Sequence, residues 1–182
     1  MKNSLHYNLI LFGYKSSGKT YFGNLLAQEL GKVFIDTDLL IEKLFEKKFH
    51  EELNCRQISI KIGEKGFRIL EEEIIDSLEQ VTKAIISVGG GAVLNPENCL
   101  RLEKNGKLVY LEVDKEIIKQ RIFSSGIPSF LDPRNPEQSF EKMYEERKPI
   151  YSKVSKYKVN VQKKTDRQVL DELIVIAETR WD

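Results

Sequence analysis

The chain has 182 residues, enough for one domain with its own core, and its 41% hydrophobic and 31% charged residues are those of an ordinary globular protein. A formal net charge of +1 supplies no overall field to recruit nucleic acid or a membrane surface, so anions must be held by local clusters. No apolar stretch reaches membrane-spanning length and no leader segment is recognisable, while Cys55 and Cys99 stand apart without metal-ligand spacing. The expectation is one cytoplasmic domain over residues 1–182, with reduced thiols and with His6 and His50 on the surface.

Tyr7 to Phe12 is a short apolar run that predicts a buried strand. It leads into Gly13-Tyr14-Lys15-Ser16-Ser17-Gly18-Lys19-Thr20, a complete G-x-x-x-x-G-K-[ST] phosphate loop. In such a loop the glycines let backbone N–H groups turn toward a phosphate chain, the lysine reaches the β- and γ-phosphates, and the hydroxyl serves Mg²⁺. Gly13, Ser16, Ser17, Gly18, Lys19, Thr20 and the adjoining Tyr21 are therefore assigned to ATP, and Thr20 also to the metal. A helix over 21–30, closed by Gly31, completes the strand–loop–helix setting that the motif requires.

A strand over 32–35 ends at Asp36-Thr37-Asp38. Residues two apart on an extended segment share a face, so the two carboxylates are expected side by side. One could support Mg²⁺ through water and the other receive or orient a hydroxyl proton, although capping of the loop is an alternative use. Helical periodicity covers 39–49 and, punctuated by Gly63 and Gly66, 58–77. Arg68 and Glu71 lie three apart there and can pair on one face, which a plain surface ion pair would also explain. The continuous apolar strand 84–88 runs into Gly89-Gly90-Gly91, where the backbone either approaches another group closely or simply turns.

A helix over 96–105, a strand over 107–113 and a helix over 115–123, with Asp114 as its N-cap, come next. Residues 124–136 are irregular and contain Gly126, which suits a mobile flap. A helix over 137–148, a strand over 157–161 and a helix over 166–180 complete the chain. Alternating helices and mostly apolar strands predict an α/β fold of three layers, α/β/α, around a parallel sheet of about five strands. The phosphate loop, Asp36/Asp38 and the triple glycine all follow strand ends, so they should meet at the carboxyl edge of that sheet. No N-K-x-D segment marks a GTPase, and no apolar run ending in Asp-Glu marks a translocating ATPase. A small-molecule kinase suits the length.

In order, Gly13-x-x-x-x-Gly18-Lys19-Thr20, Asp36-Thr37-Asp38, Gly63-Glu64-x-x-Phe67-Arg68-x-x-Glu71, Gly89-Gly90-Gly91 and Arg147-x-Pro149-x-Tyr151 resemble shikimate kinase, in the nucleoside monophosphate kinase-like branch of P-loop proteins. The resemblance runs from Leu9 to about Val161. It implies a P-loop kinase fold with an acceptor-binding insert over roughly 36–70 and a lid over roughly 124–136. It also implies transfer of the ATP γ-phosphoryl group to the 3-hydroxyl of shikimate, giving shikimate 3-phosphate and ADP in the chorismate and aromatic amino-acid pathway.

By the same resemblance Lys19 and Asp38 would be catalytic, with Asp38 on the acceptor hydroxyl. Thr20 and, through water, Asp36 would hold Mg²⁺. Arg68 and Arg147 would grip the carboxylate, with Glu71 fixing Arg68, and Gly89, Gly90 and Gly91 would offer N–H groups to the acceptor. Arg121 would stack on adenine. ATP and shikimate would be the partners of a monomer that binds neither nucleic acid nor membrane. The lid departs from the family's Arg-Pro-Leu-Leu stretch: Ile127-Pro128-Ser129-Phe130-Leu131 puts Ile127 at the arginine position. A substitute cation is expected, Arg134 first and Lys15 second. A kinase for another hydroxy acid such as gluconate, and a nucleotide-binding regulatory protein, remain the alternatives.

Overall fold

The computed structural model describes residues 7–179. Two expectations, a surface His6 and a last helix reaching Arg180, fall on residues outside that range. The elements run β1 (Asn8–Phe12), α1 (Lys19–Leu30), β2 (Phe34–Asp36), α2 (Thr37–Phe49), α3 (Cys55–Ser77), β3 (Ile85–Ser87), α4 (Pro96–Asn105), β4 (Gly106–Glu112), α5 (Lys115–Ser124), α6 (Pro136–Val154), β5 (Tyr157–Asn160) and α7 (Asp166–Glu178).

All five residues of β1 are buried because successive side chains enter two different cores. Leu9 and Leu11 pack with Phe22 and Leu26 of α1 and Val169 and Leu173 of α7. Ile10 and Phe12 pack on the other face with Ile75 of α3, Leu102 of α4, Ile118 of α5 and Phe140 of α6. The predicted three-layer α/β/α fold is therefore present, and it explains why the central strands read as continuous apolar runs. Among the described residues no helix is long and apolar enough to cross a membrane.

The sheet order is β2-β3-β1-β4-β5, with every pairing parallel. Ser87 of β3 stands opposite both Leu11 of β1 and Asp36 of β2. The carboxyl ends of these three strands are thus level. That register brings the phosphate loop, the Asp36–Asp38 segment and the triple glycine to one edge, as their positions after strand ends predicted. A third apolar cluster lies apart from the sheet: Ile41 and Phe45 of α2 close on Ile58, Leu70 and Ile74 of α3.

Four local readings are corrected. α1 starts at Lys19 rather than Tyr21, so the end of the phosphate loop is already helical. Asp36 and Asp38 are not neighbours on an extended segment: Asp36 N-caps α2 by accepting from the Asp38 N–H at 3.0 Å, and Asp38 lies in the first helical turn. The capping use is real, and it aims both carboxylates by helix geometry instead of strand geometry. Asp114 stands at the N-cap of α5 without a side-chain bond; its backbone carbonyl receives the N–H groups of Ile117 and Ile118. Finally, α6 continues through Pro149 to Val154. Proline ends most helices because a backbone bond is lost, yet Pro149 and Glu145, whose carbonyl loses that bond, are both exposed to water. His50 is exposed as expected and closes α2 in a left-handed conformation.

Candidate active site

The phosphate loop bends through Gly18, whose φ of 96° places the N-cap of α1 in the left-handed region. Lys19 is half-buried, and its Nζ donates to the carbonyls of Gly13 at 3.2 Å and Tyr14 at 2.9 Å. Burial pulls its ammonium down to about 8, against the attraction of Asp38 and Asp36 and with help from the positive charges of Lys15 and Arg147. Ser17 is fully buried, and among the described residues its hydroxyl has no hydrogen-bond partner. Tyr14 anchors the loop from below: it stacks on Tyr144 of α6 at 4.6 Å and donates to the Tyr144 carbonyl at 2.9 Å.

Thr20 Oγ1 donates to Asp36 Oδ2 at 2.8 Å, so the hydroxyl and carboxylate expected at the metal meet directly. Both are hard oxygen donors, the kind that Mg²⁺ takes together with water and phosphate oxygens. Among the described residues no group of three or more His, Cys, Asp or Glu could cage a metal alone. The donor set therefore fits an ion that arrives with a nucleotide better than a structural one. Arg121 reaches the same loop from α5, with Nη1 donating to the Ser16 carbonyl at 3.1 Å. Tyr21 is exposed on α1 and donates to Asp166 at 2.5 Å.

The triple glycine is where the remaining candidates meet. A methyl group placed on Gly89 would lie 3.1 Å from Glu71 Oε1 and 3.2 Å from Asp38 Oδ1. On Gly90 it would press the Gly13 carbonyl at 2.9 Å, with the Tyr151 hydroxyl at 3.2 Å and Arg147 Nη1 at 3.6 Å. On Gly91 it would fall inside the Arg68 guanidinium, 2.1 Å from Nη1. The glycines are thus needed for close approach, and a mere turn does not account for them. Gly89 spends its N–H on Thr37 Oγ1 at 3.3 Å, which removes it from the expected donors; among the described residues the Gly90 and Gly91 N–H groups have no protein partner.

Arg68 Nη1 holds Glu71 Oε2 at 2.8 Å in the predicted i,i+3 pair, with Glu64 a more distant partner at 3.4 Å. Glu71 is 2% exposed, so this is not a surface pair. Burial raises the Glu71 carboxyl above its ordinary value, and Arg68 opposes the rise. α3 aims this pair after a break at Gly63, whose φ of 71° separates its two helical halves. Asp38 is exposed, yet its carboxylate lies close to the Gly89 turn. Partial desolvation, together with Asp36 beside it, raises its carboxyl despite Lys19 and Lys15.

Three residues that the sequence motifs contain, but to which no role was assigned, also take part. Thr37 is buried and fixes Gly89. Tyr151, partnered by Arg147, donates to the Gly90 carbonyl at 2.6 Å. It lies four residues after Arg147, on the same helical face, and a helix continued past Pro149 would have revealed it. Phe130 of the lid presents its ring to the Arg147 guanidinium at 5.3 Å. The segment expected to form a lid is itself packed: Leu131 is buried, Ile127 and Phe130 lie against the core, and Ser129 meets Ser59 of α3 at 3.3 Å. Arg134 is exposed, and among the described residues no ion pair engages it. Lys15 is exposed too, and its charge is felt at Lys19 and Asp38.

The sequence matches the family described as shikimate kinase over residues 15–178. The shikimate kinase of Caldanaerobacter subterraneus subsp. tengcongensis is 34% identical over 167 residues, which cover 92% of this chain and 94% of that protein. The structure of the Acinetobacter baumannii shikimate kinase in complex with shikimate superposes with a TM-score of 0.82 at 29% identity, covering 95% of this chain and 93% of that one. The shikimate kinase of Aquifex aeolicus gives a TM-score of 0.76 at 31% identity, over 93% and 95% of the two chains. With the family model matched from residue 15 to 178 and the fold in agreement, this chain belongs to the shikimate kinase family.

Proposed function

We propose that this protein transfers the γ-phosphoryl group of ATP to the 3-hydroxyl of shikimate. What supports the reading is one juxtaposition: Asp38, the Arg68–Glu71 pair and Arg147 all border a glycine turn whose middle residue lies against the phosphate loop. Two guanidinium forks suit a carboxylate, and a carboxylate with a raised pKa suits a hydroxyl proton. Neither alternative kept at the outset is favoured by a specific observation.

In this reading Lys19 gives up its loop carbonyls for the β- and γ-phosphates, while Gly13, Ser16, Ser17 and Gly18 shape the loop around them. Arg121 and Tyr21 border the nucleotide. Thr20 and, through water, Asp36 hold Mg²⁺, which when bound neutralises charge on the transferring phosphates. Arg68, ordered by Glu71, and Arg147 hold the acceptor's carboxylate, and the Gly90 and Gly91 N–H groups its hydroxyls. Asp38 takes the 3-hydroxyl proton as that oxygen bonds to the γ-phosphorus; the bond to the β-phosphate oxygen breaks and ADP leaves with its electron pair. Lys15 offsets charge where the lid has Ile127. The same reading has a cytoplasmic monomer with an acceptor insert over roughly 36–70 and a lid over roughly 124–136. ADP release that depends on shikimate, and is not supported by gluconate, is the test.

Lys19 also gives ATP binding a pH signature. Only the protonated amine attracts phosphate, and its value of about 8 in the free protein lies well below the ordinary 10.5. Affinity for ATP should be insensitive to this group at pH 7 and weaken above pH 8, by at most about tenfold per unit. Nucleotide titrations from pH 7 to 9.5 check this, with Lys19→Arg as a control that cannot deprotonate. Equal slopes in the two proteins would contradict it.

A further inference from the structure

Where the resemblance expects a lid arginine this chain has Ile127, while the same segment brings an aromatic ring, Phe130, to Arg147. Phe130 is half-buried against the main core, and the next residue, Leu131, is 3% exposed, so the ring is seated and not adrift on a loop. Its centroid lies 5.3 Å from the Arg147 guanidinium carbon, within cation–π range. That guanidinium also meets the Tyr151 hydroxyl and the Gly90 turn, and its charge is felt at Glu71 and Lys19 without an ion pair to either. Among the described residues no carboxylate forms an ion pair with Arg147, in contrast to Arg68, which has Glu71 and Glu64. The two acceptor-side arginines are therefore oriented by different means, one by a buried anion from its own helix and one by a ring from the lid.

We propose that Phe130 is a positioning residue for acceptor recognition: its ring holds the Arg147 fork toward the Gly90 turn, so that seating of the lid and gripping of the substrate carboxylate are one event. An aromatic face does this without neutralising the guanidinium, which stays free to make both of its hydrogen bonds to an incoming carboxylate. A carboxylate in that place would compete with the substrate. The inference rests on the reading of the acceptor as a carboxylated ring, and it assigns to the lid a role separate from covering ATP.

The test is steady-state kinetics on Phe130→Leu and Phe130→Tyr, with shikimate and ATP varied separately and the wild-type protein measured alongside. Leucine keeps an apolar side chain on the core but removes the ring face; tyrosine restores the face. The KM for shikimate should rise about 3- to 30-fold in Phe130→Leu, the span of a half-buried cation–π contact. It should return to within about twofold of wild type in Phe130→Tyr, with the KM for ATP steady in both. A merely structural ring would leave the shikimate KM of Phe130→Leu unchanged or shift both KM values together, and either result overturns the proposal. So does a Phe130→Tyr variant as weak as Phe130→Leu. A wild-type protein that neither binds nor phosphorylates shikimate would instead refute the functional reading.

Discussion

Asp38→Asn should fold as the wild type does and bind ATP at least as well, while phosphoryl transfer falls by about 10²- to 10⁴-fold. The substitution keeps the shape of the side chain and the first turn of α2, whose cap is the Asp36 carboxylate and not Asp38 itself. It removes a negative charge that repels the incoming phosphates; because the same charge holds up the Lys19 ammonium, ATP affinity is compared below about pH 7, where Lys19 is protonated in the wild type. What is lost is the acceptor of the hydroxyl proton. A pH profile gives the second half of the argument. Partial desolvation and Asp36 hold the Asp38 carboxyl above its ordinary 3.8, and only the ionised form can take a proton. As pH falls, kcat/KM should therefore decline at a higher pH than an ordinary aspartate would give, and that limb should be missing from the residual activity of Asp38→Asn. Full turnover in the variant would remove Asp38 from the chemistry.

Arg68→Met should damage acceptor binding and the fold together, and a second substitution should separate the two. Glu71 is buried and its ion-pair partner is Arg68, so removing the guanidinium leaves a buried carboxylate without its ion pair and repelled by Asp38. Breaking such a pair costs about 3 kcal/mol, toward the low end of the usual range because Arg68 faces the open cleft, and lowers Tm by roughly 6–12 °C. Adding Glu71→Gln removes the stranded charge and should recover most of that Tm. It should not recover the KM for shikimate, which loses a charge-assisted contact and rises by about 10- to 10²-fold in both variants. Thermal melts and acceptor titrations on the single and double variants check this. Recovery of both quantities together would make Arg68 a structural residue only.

The fold was legible because burial on both faces leaves its mark on every central strand: Leu9 to Phe12 and Ile85 to Ser87 carry apolar or small residues without alternation. The site was legible as far as its residues are tied to strand ends or to helical spacing, as with Arg68 and Glu71. It was not legible where distant elements meet. Asp36 and Asp38 looked extended because the helix cap that turns them is read as readily as a loop. Pro149 hid the helical turn that carries Tyr151 to Gly90, since local sequence does not report that the lost backbone bond faces water. The contact of Phe130 with Arg147 joins the lid to α6, and no local periodicity encodes it.

The most direct measurement is of the product formed when the protein is given ATP, Mg²⁺ and a set of small hydroxy acids that includes shikimate and gluconate. Release of ADP with shikimate alone, and a phosphorus-to-proton coupling that places the new phosphate on the 3-oxygen, is the predicted result. Phosphorylation of gluconate in preference to shikimate, or ATP turnover indifferent to either, would contradict it.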